Sequence, residues 1–333
     1  MLSKFSSNAQ QFRIEVGRIL TGDDPYFVSR IGGSDTDAVV DYLRAKNLGD
    51  NELSVHLALH LPIVERFNGF YDTSGKVDDK IATYIKYIET LEFYYRQTKM
   101  MTCCHPHTLS LFFQDVLAER FVKDDFPNRE IMFKFLTEIA SEERFVRGYP
   151  YNMIECIVQN PFTLFWVLAD VLPGKKVLAI TPFSRSIMQN FYNRHNFFKN
   201  NYTYPDFEIE TVNVPITYSG IGKSLYPDSN WFETVSRLKG EISSKKFDIA
   251  LLSCGSYALP LGFHIEQELA RHAVYVGGVL QLFFGIIGRR YRNIFFEDQM
   301  NLRNFIEPVE KKLYAPHIPS DDSAVREAFG AYF

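Results

Sequence analysis

A chain of 333 residues, 46% hydrophobic and 23% charged, has the composition of a globular protein and is long enough for one large α/β domain. Its formal net charge of −4 supplies no general attraction for nucleic acid or an anionic membrane surface, so partners of those two kinds are not expected. Four cysteines do not make a disulfide scaffold, and 30 Phe with 19 Tyr point to an aromatic core.

The first stretch, MLSKFSSNAQQFRIEV, lacks the unbroken apolar centre of a signal peptide. FTLFWVLADVL and YVGGVLQLFFGII are too short or too interrupted to span a bilayer. The expectation is a cytoplasmic protein in a reducing compartment (host-cell cytoplasm if the source is viral), with no membrane span.

In chain order, the first element is YFVSRIGGSDTDAVVDYL at 26–43, a short apolar strand that meets a helix across a glycine pair. Ser34 can cap that helix, and acids in its first turn complement the helix dipole. The same residues also suit a ligand. Gly32 and Gly33 permit close backbone approach, and helix N-terminal amides bind phosphate. Asp35 and Asp37 offer oxygen ligands to Mg²⁺ or Mn²⁺ bridging a diphosphate.

The next stretch, 78–101, places Ile81, Ile85, Ile88, Leu91 and Tyr95 three or four residues apart, which predicts one long helix. Two further helical patterns occupy 107–122 and 128–145, so 45–150 reads as a mainly helical portion. CCHPH at 103–107 resembles a metal cluster, but adjacent cysteines rarely address one ion and no second ligand pair of zinc spacing follows.

From 151 to 315 the pattern changes. Strands are predicted at VLAI (177–180), FEIETVNVP (207–215), FDIALLSC (247–254) and AVYVGG (273–278). Helical stretches at 187–195, 231–245 and 255–272 separate them. That alternation implies βαβ units and a Rossmann-like parallel sheet flanked by helices, all within a single domain over 1–333. Cys156 and Cys254, in apolar runs, read as buried thiols.

Ligands of open α/β sheets bind outside the carboxyl ends of the strands. RIGGSDTD, TPFSRS, SCGSYALP and GGVLQLFFG are therefore expected to converge on one cleft. In TPFSRS, Thr181, Ser184, Arg185 and Ser186 suit an anion, or a proline turn with a helix cap. Gly255, Ser256 and Tyr257 can bind phosphate, stack a base or simply begin a helix. Gln281, following Gly277 and Gly278, is a solitary amide among large apolar residues and needs a hydrogen-bond partner. A nucleobase edge, a ribose or a backbone carbonyl would serve. His264 is either a helix-face histidine or a base. The sequence has no Walker lysine loop, no G-x-S-x-G elbow, no H-E-x-x-H helix and no dinucleotide fingerprint, so a nicotinamide oxidoreductase is not expected.

Four of these segments together carry a resemblance. RIGGSD resembles the R-[FI]-G-x-x-[ED] signature of glycosyltransferases with the GT-D-type fold. GKKVLAITPFSRSIMQN, FDIALLSCGSYALPLGFHI and AVYVGGVLQLFFGIIGRRY are similar to three later segments of that family, in the same order, over about residues 26–310. The resemblance implies a nucleotide-sugar donor, usually a UDP-sugar, a glycan or glycoprotein acceptor, and Mn²⁺ or Mg²⁺ near an acidic motif. Asp35 takes the place of the signature glutamate, and Gly33 stands where some members have an aspartate. Asp37 can restore the second carboxylate. Arg30, Gly32, Gly277, Gly278, Gln281 and Gly285 carry over directly, with Arg185, Arg289 and Arg290 as candidate cations for the departing diphosphate. Asp35, Asp37 and His264 are the candidates to take the acceptor hydroxyl's proton. Asp248 opens a strand and reads as a polar flank. Two other readings stay open: a metal- and nucleotide-dependent phosphotransferase or hydrolase, and an inactive binding module, to which the Gly33 departure points.

Overall fold

In the computed structural model, which describes residues 9–98, 100–103, 131, 135, 161–199, 202–217, 223–291, 298–317 and 333, six strands form one sheet. They are β1 (Phe27–Ile31), β2 (Met100–Cys103), β3 (Lys176–Thr181), β4 (Glu208–Asn213), β5 (Ile249–Leu252) and β6 (His272–Tyr275). Their order is β2-β1-β6-β5-β3-β4 and every neighbouring pair is parallel. All five predicted strands are present, and the sheet is the parallel, helix-flanked one expected.

The reason lies in their burial. β3 and β5 are apolar on successive residues because both sheet faces are covered. Leu178 and Ile180 point into one core while Val177 and Ala179 point into the other. β4, at the edge, exposes Glu208, Glu210 and Asn213, charge and polarity that discourage pairing with another chain.

The long helices are α1 (Ala9–Thr21), α2 (Gly33–Ala45), α3 (Asp50–Phe67), α4 (Val77–Gln97), α5 (Pro161–Val171), α6 (Ser184–Asn190), α7 (Trp231–Ser243) and α8 (Ala258–Gln267). One core joins the sheet to α2, α3, α4, α7 and α8 around Tyr84, Tyr87, Tyr95 and Trp231. The other joins it to α1, α5, α6 and a single turn at Leu280–Phe283 around Phe165, Phe197, Phe283 and Phe284. These aromatics are among the largest fully buried side chains, as the composition implied.

β2 corrects the sequence reading. The helical stripe was extended to residue 101, whereas α4 stops at Gln97. Thr98 takes an extended conformation, and its hydroxyl donates to the Tyr94 carbonyl, 3.0 Å away. Met100 to Cys103 then pair with Val28 to Ile31. Four residues carry too little periodicity to mark such a strand. The patterns at 107–122 and 128–145 lie outside the described residues except for Ile131 and Phe135, both helical, and Cys104–His107 and Cys156 also lie outside them. Cys254 is a buried free thiol, as expected.

Two neighbouring strands differ in the face to which the chain turns next. After β1 the chain turns into α2 on the first face, whereas after its neighbour β6 it turns to Leu280–Phe283 on the second. In open α/β sheets, ligands bind at the carboxyl edge where connections from adjacent parallel strands diverge, and β1 and β6 are such a pair. No helix among the described residues is long and apolar enough to cross a membrane.

Candidate functional site

Arg30, near the carboxyl end of β1, reaches across to β6. Its Nη2 donates to the Tyr275 hydroxyl at 3.0 Å, and the guanidinium carbon lies 4.3 Å from the Tyr275 ring centroid. The Tyr275 hydroxyl donates in turn to the Gly255 carbonyl at 3.0 Å. Gly277 closes over the same guanidinium. Its φ is +70°, and a Cβ built there would overlap Arg30. The expected loops after β1 and β6 thus meet at Arg30, and the loop after β5 joins them through the Tyr275 hydroxyl. The left-handed Gly277 also ends β6 at Tyr275, two residues before the predicted strand meets the glycine pair.

Asp35 lies beside this cation. α2 starts at Gly33 with Gly32 as its cap residue, and the Thr36 amide and hydroxyl both donate to the Gly32 carbonyl. Ser34 is therefore inside the helix and is not its cap. Asp35, in the first turn, folds back over Gly32, where a Cβ would sit 2.7 Å from its Oδ2. Its Oδ1 accepts from Asn68 Nδ2 at 3.1 Å and from the Tyr87 hydroxyl at 3.5 Å. Tyr95 accepts from the Gly32 amide at 3.3 Å.

Burial pushes the Asp35 carboxyl up to about 6, against the opposing pull of Arg30 and of the Asn68 and Tyr87 hydrogen bonds. The same burial, with the Asp35 charge, pushes the Tyr87 and Tyr95 hydroxyls well above their ordinary value, so both remain neutral. A carboxyl held near neutrality beside a cation at a strand's carboxyl end has the protonation range of an acid–base group.

Asp37 does not join it. Two positions along a helix are about 200° apart, and Asp37 is exposed where Asp35 is buried. The Asp37 charge nevertheless reaches Asp35 and adds to the rise of its carboxyl, while the positive charge beside Asp35 is that of Arg30. Metal-type donors do gather elsewhere. Asp41, on α2, and His56 and His60, on α3, hold ligand atoms within 4.8 Å of one another. The sequence reading missed them, although HLALH at 56–60 carries two histidines one helical turn apart.

The remaining candidates separate clearly. Ser256 is buried and accepts from Trp231 Nε1 at 3.0 Å. Tyr257 stacks on Trp231 with centroids 5.6 Å apart and shares a 2.9 Å hydrogen bond with Thr217, so its ring belongs to the core and offers no face to a base. Gly255 is exposed at φ +57°, and Gly278 is partly exposed.

The loop after β3 does hold an anion, but one from the chain itself. The Ser186 amide donates to Glu310 Oε1 at 3.0 Å, its hydroxyl donates to Oε2, and the Val309 amide donates back to Ser186 Oγ at 2.9 Å. Ser184 donates to the Thr181 carbonyl at 3.1 Å, Thr181 Oγ1 accepts from the Phe183 amide at 3.3 Å, and Arg185 is exposed. β3 is three strand spacings from β1, about 14 Å, so this loop forms its own set.

His264 lies at the wrong end of the sheet for a base. Its Nε2 meets Ser243 Oγ at 2.9 Å and its Nδ1 pairs with Glu268 at 3.0 Å. Two residues on, Glu266 accepts from the Phe27 amide where β1 begins, so this end of α8 faces the strands' amino ends. Asp248 accepts from the Lys176 amide at that same edge, as a polar flank should. Arg289 is exposed, and the Arg290 side chain lies outside the described residues. Gln281 is 2% exposed, and among the described residues neither its amide nitrogen nor its oxygen has a hydrogen-bond partner. Of the partners considered for this amide, the backbone carbonyl is not found among the described residues, and a buried amide without a partner carries a desolvation cost that a bound polar group or water would offset.

No family model matches the chain, and no curated protein matches it. A solved structure described as a selenomethionine-substituted domain of unknown function 1792 (DUF1792) is similar over 80% of this chain and 82% of its own, at 13% identity and a TM-score of 0.34. A likeness that distant carries no inference about chemistry.

Proposed function

We propose that this protein is a glycosyltransferase that takes a nucleotide-sugar donor in the crevice between β1 and β6. The observation that carries the reading is the joining of three loops through Arg30 and Tyr275, with a carboxyl of raised pKa beside the guanidinium. The order of the four family-like segments supports it as well. Arg30 supplies positive charge for a leaving diphosphate, a role in which a fixed guanidinium stabilises charge as it develops. Asp35, held near neutrality, receives the acceptor hydroxyl's proton. Gln281 reads a polar edge of the donor.

The test is calorimetry of the full chain with UDP, GDP and their sugars, followed by mass spectrometry of glycan acceptors. Donor binding and sugar transfer, both lost in Arg30→Gln, are expected. Absence of binding to every nucleotide and nucleotide-sugar sinks the proposal. Phosphate release with the sugar untouched places the chain among the hydrolases, and turnover unchanged in Asp35→Asn removes the carboxylate from the chemistry.

Gln281 gives a separate expectation. Gln281→Met keeps the volume and removes an unsatisfied buried amide, so it should raise stability by about 1–2 kcal/mol. Donor affinity should fall in the same variant. Thermal unfolding and calorimetry on one sample read both, and a loss of stability would show that the amide is satisfied in the folded protein.

A further inference from the structure

We infer that Asp41, His56 and His60 form a binding site for a transition-metal ion of the Zn²⁺ type, separate from the donor crevice, and that the bound ion clamps α2 to α3. His56 Nε2 lies 2.8 Å from Asp41 Oδ2, and His60 Nδ1 lies 3.1 Å from the same oxygen. The two imidazoles stack with centroids 4.2 Å apart and planes 26° from parallel. One turn of α3 sets that spacing, and it aims both rings at one carboxylate on the neighbouring helix.

Two nitrogens and one oxygen select ions such as Zn²⁺, Co²⁺ or Ni²⁺ over Mg²⁺ and Ca²⁺, which prefer all-oxygen shells. Donors around a tetrahedral ion at Zn–N and Zn–O distances near 2.1 Å stand about 3.4 Å from one another. The two nitrogen–oxygen separations, 2.8 and 3.1 Å, need only a small opening to reach that. Without an ion, each ring donates its N–H to Asp41. With one, each proton moves to the ring's other nitrogen and the facing nitrogen becomes a ligand. Both histidines are partly exposed, with side-chain accessibilities of 22% and 34%, so an ion has a way in and water can complete its shell.

The place of the cluster gives the clamp its consequence. α2 carries Asp35 at one end and Asp41 further along, while Asn68, directly after α3, donates to Asp35. An ion joining the two helices at Asp41 therefore stiffens the pair that holds the Asp35–Asn68 contact.

Equilibrium dialysis of the full chain against Zn²⁺, and the visible spectrum of bound Co²⁺, test the site, with Mg²⁺ as the control. One equivalent of Zn²⁺ should bind and raise the unfolding temperature. His56→Gln and His60→Gln keep a donor toward Asp41 and so preserve the fold, yet should weaken binding roughly 100-fold. Asp35→Asn and Asp37→Asn should bind Zn²⁺ as the parent does, which separates this site from the donor crevice. Failure of Zn²⁺, Co²⁺ and Ni²⁺ to bind overturns the inference, as does binding that survives both histidine substitutions.

Discussion

Gly277→Ala should destabilise the protein by about 3 kcal/mol and displace Arg30 from the Tyr275 ring. Two costs combine at this position. The backbone sits at φ +70°, a conformation that a residue with a Cβ adopts only under strain. The new methyl would also occupy the volume of the guanidinium. Arg30→Ala removes the second cost and leaves the first. The double variant should therefore lose about 1–2 kcal/mol less than the two single losses added together. Denaturant titration of all four proteins measures this, and simple additivity would mean that the glycine serves the backbone turn alone. The same substitution should abolish nucleotide-sugar binding, since the cation it displaces is the one proposed to meet the diphosphate.

That coupling shows how much of the site can be read along the chain. Each half was visible: an arginine ending one apolar run and a glycine pair ending another. Their contact rests on β1 and β6 being neighbours in the sheet although they are more than 200 residues apart in sequence. The strands were legible because burial on both faces leaves apolar runs with few polar interruptions. Their ends were less so, because a left-handed glycine stops β6 without any change in hydrophobicity.

The errors have equally local causes. Asp35 and Asp37 are written as a pair along the chain, but α2 begins at Gly33 and buries the first while exposing the second, a difference that nearby acids in a sequence do not reveal. TPFSRS was legible as an anion cradle, whereas its occupant, Glu310, lies 124 residues from Ser186 and carries no motif. Of the four residues named there, Ser186 alone meets Glu310, while Thr181 and Ser184 bond within their own turn. The Asp41–His56–His60 cluster is half legible, since the histidine spacing belongs to α3 while the carboxylate arrives only when α2 packs beside it.

Asp35→Asn should make the protein more stable above neutrality and leave it unchanged in acid. Burial raises the folded carboxyl from the ordinary 3.8 to about 6. Between those values the folded chain holds a proton that the unfolded chain has released, so folding is favoured by acid at this group. Its contribution is fully present below about pH 4 and is lost as pH rises through about 6. A shift of about two units corresponds to about 3 kcal/mol, which the ionised carboxylate costs the native state at pH 8. Asparagine keeps an acceptor for Asn68 and Tyr87 without the charge, so the variant's advantage should grow from nothing at pH 4 to that limit by pH 8. Unfolding measured across this range decides the matter. A flat difference, or a parent that gains stability with rising pH relative to the variant, would make Asp35 an ordinary ion-paired carboxylate. The expected slope instead marks a residue kept at a cost to folding, as the proton-transfer role proposed for Asp35 requires.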